Sequence, residues 1–97
     1  MMYLNLWEAD MSAFPSDPEE RMKLLMSMGE QVKSELDSGK TKMWGVSVGG
    51  GKGFSIHEVD PKEILAASTR RMPYVKFKVK PMLTIDEAMD VMKEMQP

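Results

Sequence analysis

Two copies of the same helix-start signature divide this 97-residue chain into similar halves. Asp-Pro-Glu-Glu begins at Asp17, and Asp-Pro-Lys-Glu begins at Asp60. In each, the aspartate can cap a helix, and the glutamate favours its first turn. The proline suits the first helical position, because the N–H it lacks would have no partner there. Each signature follows a strand-like run, so we expect a strand-then-helix unit repeated within a single domain, residues 1–97.

Alternating apolar and polar residues predict the strands. They fall at 2–8, 41–48, 54–59 and 74–80. The glycine-rich run 49–53 reads as the turn of a hairpin. It does not fit a phosphate-binding loop, because a strand rather than a helix follows its lysine.

Capping signals predict the helices between and after these strands. The first runs from Pro18 to a glycine cap at Gly39, and the second from Pro61 to about Arg71. A capping box at Thr84 starts a third helix. The element order predicts an α+β, ferredoxin-like βαββαβ fold with an added C-terminal helix. We expect a four-stranded antiparallel sheet with its first and third strands central and the helices on one face.

The two faces of this sheet differ in character. We expect the aliphatic and phenyl side chains of the strands to face the helices: Leu4, Leu6, Ile56, Val75, Phe77 and Val79. The opposite face would then carry aromatic, polar and cationic groups, which are the candidate ligand-binding residues together with one imidazole: Tyr3, Asn5, Trp7, Ser55, Lys76, Lys78 and His57. Tyr and Trp seldom sit on a solvated central strand, so a second sheet is expected to cover this face. The alternative is a solvated face with Trp7 covered by the loop 9–16.

Two segments carry a resemblance to a known group of small proteins. The stretches GFSIHEV at 53–59 and PYVKFKVKP at 73–81, with the element order and length, resemble the dimeric α+β barrel superfamily. That group includes muconolactone isomerase-like and antibiotic-biosynthesis-monooxygenase-like small domains and uncharacterised relatives. The resemblance implies a homodimer with two sheets facing each other. It also implies a small-molecule cleft, either between sheet and helices or within the sheet's concave face, and it carries over no catalytic residue and no cofactor.

His57 is the candidate catalytic residue, because its side chain alone has an ordinary pKa near neutrality. It would act as general base in a cofactor-independent isomerase or monooxygenase, with Lys76 or Lys78 stabilising an oxyanion. A lysine stripe also suits an edge strand, where it prevents aggregation. Such an enzyme is one of two alternatives, the other being a non-catalytic dimerisation or sensing module. The preferred interpretation is a homodimer that binds a small organic molecule, anionic or aromatic, in a cleft on the sheet face. The loop 9–16 is either a lid or a subunit contact.

Composition argues against several other classes. With no cysteine and one histidine, a conventional metal site within one chain is not expected. The net charge of −2 argues against nucleic acid as partner. The chain shows no signal peptide and no apolar run of about 20 residues, so we expect no membrane contact and a cytoplasmic location. The 12 methionines, including the row Met89, Met92 and Met95, fit adaptable packing better than copper ligation.

Overall fold

The computed structural model describes residues 1–96. It contains four strands, three α-helices and a short 3-10 turn at Met11–Ala13. The strands are β1 (Met2–Ala9), β2 (Thr41–Val46), β3 (Lys52–Glu58) and β4 (Val75–Met82). The helices are α1 (Pro18–Asp37), α2 (Pro61–Arg70) and α3 (Ile85–Glu94). The predicted α+β class and element order are confirmed.

Each predicted helix start is confirmed by its capping bonds. The Asp17 carboxylate accepts from the Glu20 N–H at 3.1 Å, and the Asp60 carboxylate accepts from the Glu63 N–H at 3.1 Å. Thr84 and Glu87 form the reciprocal capping box, with bonds of 3.0 and 3.2 Å. These bonds satisfy backbone donors that would otherwise lack partners in the first turn.

The four strands form one open antiparallel sheet in the order β2-β3-β1-β4, with β1 and β3 central as expected. Glu35 of α1 accepts hydrogen bonds from Arg71, which caps α2, and from Thr41 on one face of this sheet. We call this the inner face. The arrangement is compatible with a ferredoxin-like fold.

The strand register corrects the predicted faces of β1 and β3. Asn5 lies opposite Ser55 on β3 and Val79 on β4, and Trp7 lies opposite Phe77. Directly opposed residues share a face of the sheet. The candidate residues of β1 and β3 therefore join the apolar residues of β4 on the inner face: Tyr3, Asn5, Trp7, Ser55, His57, Val75, Phe77 and Val79.

The expectation that leucines and isoleucine of β1 and β3 face the helices is wrong. Leu6 lies opposite Phe54 and Lys78, and Leu4 lies opposite Ile56 and Lys80. These residues form what we call the outer face. Hydrophobicity separates the residues of a strand into two alternating sets. The hydrogen-bond register between strands decides which sets lie on the same face of the sheet.

The apolar core of the single chain is thin. Among the described residues, only Tyr3 and Phe14 are buried apolar side chains, at 6% and 7% exposure. Four polar side chains are buried beside them: Asn5, Thr41, Ser55 and His57. On the central strands β1 and β3, the inner face is therefore polar and aromatic, and β4 adds the apolar side chains at its edge.

The molecule is elongated. Its dimensions are 63 × 24 × 24 Å, with a radius of gyration of 16.3 Å, whereas a compact chain of this length has about 13 Å. The longest element, α1, has 20 residues and spans about 30 Å. No other helix or strand of residues 1–96 makes extensive backbone contact with α3.

Gly53 allows two indole rings to meet across β3. A Cβ at Gly53 would collide with the Gly45 carbonyl oxygen and would lie 2.7 Å from the Trp7 ring. Trp7 on β1 stacks on Trp44 of β2, with ring centroids 5.4 Å apart and planes inclined by 14°. Because Gly53 has no side chain, the Trp7 ring can lie over β3, the strand between β1 and β2.

Two glycine-to-alanine substitutions are expected to act in opposite directions. Gly53→Ala should lower the free energy of unfolding by about 1–3 kcal/mol through overpacking against Gly45 and Trp7. Gly29→Ala, in the middle of α1, meets no atom within 4 Å and should raise it by about 0.5–1 kcal/mol. Urea unfolding of both variants measures the difference, and equal effects would contradict the Gly53 packing.

Candidate functional site

A cavity of about 390 Å³ lies between α1 and the inner face of the sheet. Its walls are mostly apolar and come from the loop after β1, from α1 and from β2: Met11, Phe14, Leu25, Met28, Val32 and Trp44. Trp7 and Phe77 belong to the sheet side. Ligand pockets are typically concave and mostly apolar with a few converging polar groups. We refer to this space as the α1–sheet cavity.

Two buried polar atoms on the inner face have no hydrogen-bond partner within residues 1–96. They are the indole Nε1 of Trp7 and the side-chain oxygen Oδ1 of Asn5. A buried polar group without a partner costs about 1–3 kcal/mol. Trp7 is one of the residues that line the cavity. Asn5 lies two residues before it on the same face, outside the residues that line the cavity. The Trp7 N–H is therefore an unpartnered donor on a residue of the cavity wall.

A chain of hydrogen bonds forms the polar end of the cavity. The Ser55 hydroxyl lies 2.6 Å from His57 Nε2, and Thr41 Oγ1 lies 3.1 Å from His57 Nδ1. Thr41 donates to Glu35 Oε2 at 3.4 Å, and Arg71 donates to Glu35 Oε1 at 2.9 Å. Ser55, His57, Glu35 and Arg71 line the cavity itself.

The direction of these bonds assigns the proton on the imidazole. Because Thr41 gives its hydrogen to the Glu35 carboxylate, its oxygen accepts from His57 Nδ1–H. His57 Nε2 then carries the lone pair and accepts from the Ser55 hydroxyl. A neutral imidazole with this tautomer can take a proton through Ser55 and has its other nitrogen oriented by a third group, as a general base requires.

Burial keeps His57 in this neutral form. Desolvation lowers the pKa of His57 below its usual value, the Glu35 carboxylate opposes that shift, and the Arg71 guanidinium adds to it. The ordinary pKa of histidine is about 6.5. The side chain is therefore uncharged at neutral pH.

The structure brings together only part of the predicted site. Tyr3, Asn5, Trp7, Ser55 and His57 share the inner face. Lys76 and Lys78 lie on the outer face, opposite Glu8 and Leu6 of β1. The hypothesis that one of these lysines stabilises an oxyanion beside His57 is therefore wrong, since the sheet separates them.

Sequence reasoning missed three polar members of the cluster: Glu35, Thr41 and Arg71. Glu35 lies one turn beyond Val32, on the side of α1 that faces the sheet. A carboxylate among apolar residues on that side of the helix could have identified Glu35 from the sequence. Thr41 opens β2 directly opposite His57 in the register. Nothing local pairs Glu35 with Arg71, which are 36 positions apart.

The loop 9–16 closes one end of the α1–sheet cavity. Phe14 is buried against Tyr74, with ring centroids 5.2 Å apart, and the Asp10 N–H donates to the Tyr74 carbonyl at 2.8 Å. Asp10 caps the 3-10 turn, and the hydrogen bond from the Ser12 hydroxyl lowers the pKa of its carboxyl. The loop is thus anchored to Tyr74, the residue just before β4, and Met11 and Phe14 supply its cavity wall.

Residues 1–96 contain no candidate metal cluster and no candidate membrane-spanning helix. No group of three or more His, Cys, Asp or Glu in that range is placed to hold a metal ion. None of the described helices has the length and apolar character to cross a bilayer.

Comparison with known proteins gives one family match. A family model described as a domain of unknown function, DUF3303, matches residues 1–96. A search of the curated proteins gives no significant match.

The lowered pKa of His57 predicts a pH dependence of stability. Because the folded state holds the neutral imidazole, its contribution is complete above about pH 6.5, the ordinary pKa of histidine. It is lost as the pH falls from there through the lower pKa of the folded state. Urea unfolding between pH 7.5 and about 5 should show this loss in the native protein and a flatter profile in His57→Gln. Identical profiles would contradict it.

Proposed function

The chain belongs to the DUF3303 family, and we propose that it is a homodimer that binds a small, uncharged aromatic molecule in the α1–sheet cavity. The observation that carries the proposal is the indole pair at that cavity. Trp7 and Trp44 stack there, and the buried Nε1 of Trp7 has no acceptor within the described chain. An aromatic ring with one hydrogen-bond acceptor complements these walls.

The charges around the cavity favour an uncharged ligand. Of the described residues that line it, Glu35 and Arg71 carry charge, and they neutralise each other at 2.9 Å. His57 is neutral because burial lowers its pKa. An anionic ligand would lose its hydration without gaining an unpaired cation. Lys76 and Lys78, which suggested an anionic ligand, lie on the other side of the sheet.

The uncovered outer face supports a homodimer. Leu6 there is 39% exposed, beside the half-buried Leu4, Phe54 and Ile56. Helices α1 and α2 lie over the inner face, so nothing in the described chain covers these side chains. A thin core and an apolar sheet face together favour burial against a second copy.

In the alternative interpretation, the predicted site residues form a subunit interface. The burial of these residues within a single chain argues against it. Tyr3, Asn5, Ser55 and His57 are buried within one chain. A residue already covered by its own helices contributes little area to a contact between copies. A sensing module that uses the cavity remains compatible with ligand binding as proposed.

The ligand class can be tested with two probes of similar shape. We expect 2-naphthol to quench the tryptophan emission and to bind about tenfold more tightly than the 2-naphthoate anion, because the cavity holds no unpaired cation. Titrations at pH 7.5 followed by fluorescence and calorimetry measure both affinities. Tighter binding of the carboxylate would overturn the assignment of an uncharged ligand.

The location of the ligand can be tested with a matched pair of leucines on α1. Gly29→Leu places a side chain where a Cβ meets no atom within 4 Å and where the residue lines the cavity. It should weaken 2-naphthol binding about tenfold or more by occupying part of the volume. Ser27→Leu, on the exposed side of the same helix, should bind as the native protein does. Equal affinities in all three proteins would place the ligand elsewhere.

The oligomeric state is tested directly by sedimentation equilibrium. We expect a dimer of the 11.0 kDa chain at micromolar concentration. A monomer under those conditions would overturn the homodimer while leaving the cavity assignment to the binding experiments.

The hydrogen-bond chain favours a second candidate function, proton transfer with His57 as general base. In an isomerase-type step, His57 takes a proton from a carbon next to a carbonyl through Ser55, and the Trp7 N–H donates to the resulting enolate oxygen. With the neutral ketone 2-tetralone in deuterium oxide, we expect faster α-hydrogen exchange than in buffer, and loss of that increment in His57→Gln. If His57→Gln retained the increment while folding normally, the base assignment would be wrong.

A further inference from the structure

Helix α3 carries an uncovered apolar stripe. Ile85, Met89 and Met92 recur at four- and three-residue spacing along one side, and Met95 follows just beyond the helix. Ile85 is 72% exposed, and Met92 is 57% exposed. Helices in water keep such a stripe only when another surface buries it. The helix therefore needs a partner surface that its own chain does not provide.

A groove with suitable properties lies at the hairpin end of the sheet. Its volume is about 900 Å³, and Leu6 and Phe54 of the outer face form part of its floor. Lys52, Lys76 and Lys78 line it as well, with Glu8 as the opposing charge. The groove thus combines apolar side chains with an excess of positive charge.

We propose that α3 of one copy docks into this groove on a second copy. The charges are complementary: α3 carries four acids, Asp86, Glu87, Asp90 and Glu94, against Lys93. Asp86 flanks the stripe, whereas Glu87, Asp90 and Glu94 lie on the other side of the helix. The complementarity is therefore between the net negative charge of α3 and the net positive charge of the groove, while the stripe supplies the apolar contact. The inference rests on the proposed homodimer and adds to it the element that joins the copies.

The position of α3 explains why the occupant comes from a second copy. The groove lies where Glu8 pairs with Lys52, whereas α3 follows Met82, which pairs with Met2 at the opposite end of the sheet. In its own chain, α3 makes no extensive backbone contact with the other described helices and strands. A two-fold arrangement brings the α3 end of each copy to the groove end of the other, so both contacts form at once.

The first test introduces charge into the stripe. The double variant Met89→Glu/Met92→Glu should raise the dimer dissociation constant about tenfold or more. Lys93→Glu changes the net charge by the same two units but leaves the apolar side chains of the stripe in place, and it should not weaken the dimer. Sedimentation equilibrium measures all three proteins, and circular dichroism checks that the sheet is intact. Equal weakening by both changes, or by neither, would overturn the proposal.

The second test addresses the groove. Lys78→Glu should weaken the dimer, and the matched surface change Lys23→Glu on α1 should leave it unchanged. Combining Lys78→Glu with Asp86→Lys should restore part of the loss, because Asp86 is the acid nearest the stripe and the charges are then complementary again. No recovery, with both single variants folded, would exclude the groove as the docking surface.

The full-length Met89→Glu/Met92→Glu variant also separates this inference from the proposed function. If it dissociates and still binds 2-naphthol, both proposals are supported. If it stays dimeric with unchanged affinity, docking by α3 is wrong and the homodimer stands. If the native chain is itself monomeric, both docking and the homodimer are wrong, whereas the cavity assignment is judged only by ligand binding.

Discussion

The position of β1 between β3 and β4 is the constraint on which the rest of the structure depends. Because β1 is hydrogen-bonded on both sides, its register places residues of three strands on common faces. Asn5 and Trp7 are thereby turned towards α1, and Leu4 and Leu6 are turned away from it. A shift of one residue would exchange these sets and place the aliphatic side chains beneath the helices. The chemistry of the cavity and the character of the outer face thus follow from the same register.

The polar layer on the inner face is tolerated because most of its groups satisfy one another. His57 has a partner at each ring nitrogen, and Glu35 receives both Thr41 and Arg71. Each such bond contributes about 0.5–1.5 kcal/mol net, whereas an orphaned buried group costs about 1–3 kcal/mol. The polar layer is therefore stable only while all of these hydrogen bonds are present together. Its two unpartnered atoms, on Asn5 and Trp7, stand out against that background.

Local signals predicted the secondary structure well, and they failed where distant strands had to be aligned. Asp17, Asp60 and Thr84 marked the helix starts because capping is a property of neighbouring residues. The faces of β1 and β3 were assigned wrongly, since alternation separates two sets of residues without saying which is inside. His57 and Ser55 were identified by residue type and by strand position. The remaining cluster depends on tertiary contacts such as Glu35 with Arg71.

Trp7, Gly53 and Trp44 have a consequence for how sequences of this family can diverge. The three residues lie on three adjacent strands, and the two indoles meet only because position 53 carries no side chain. Residues in direct contact do not change independently in their effect on stability. A larger residue at 53 requires both a smaller side chain at position 7 and a shift of the backbone at Gly45. Covariation of positions 7, 44 and 53 among relatives would therefore identify those that retain an indole-walled cavity.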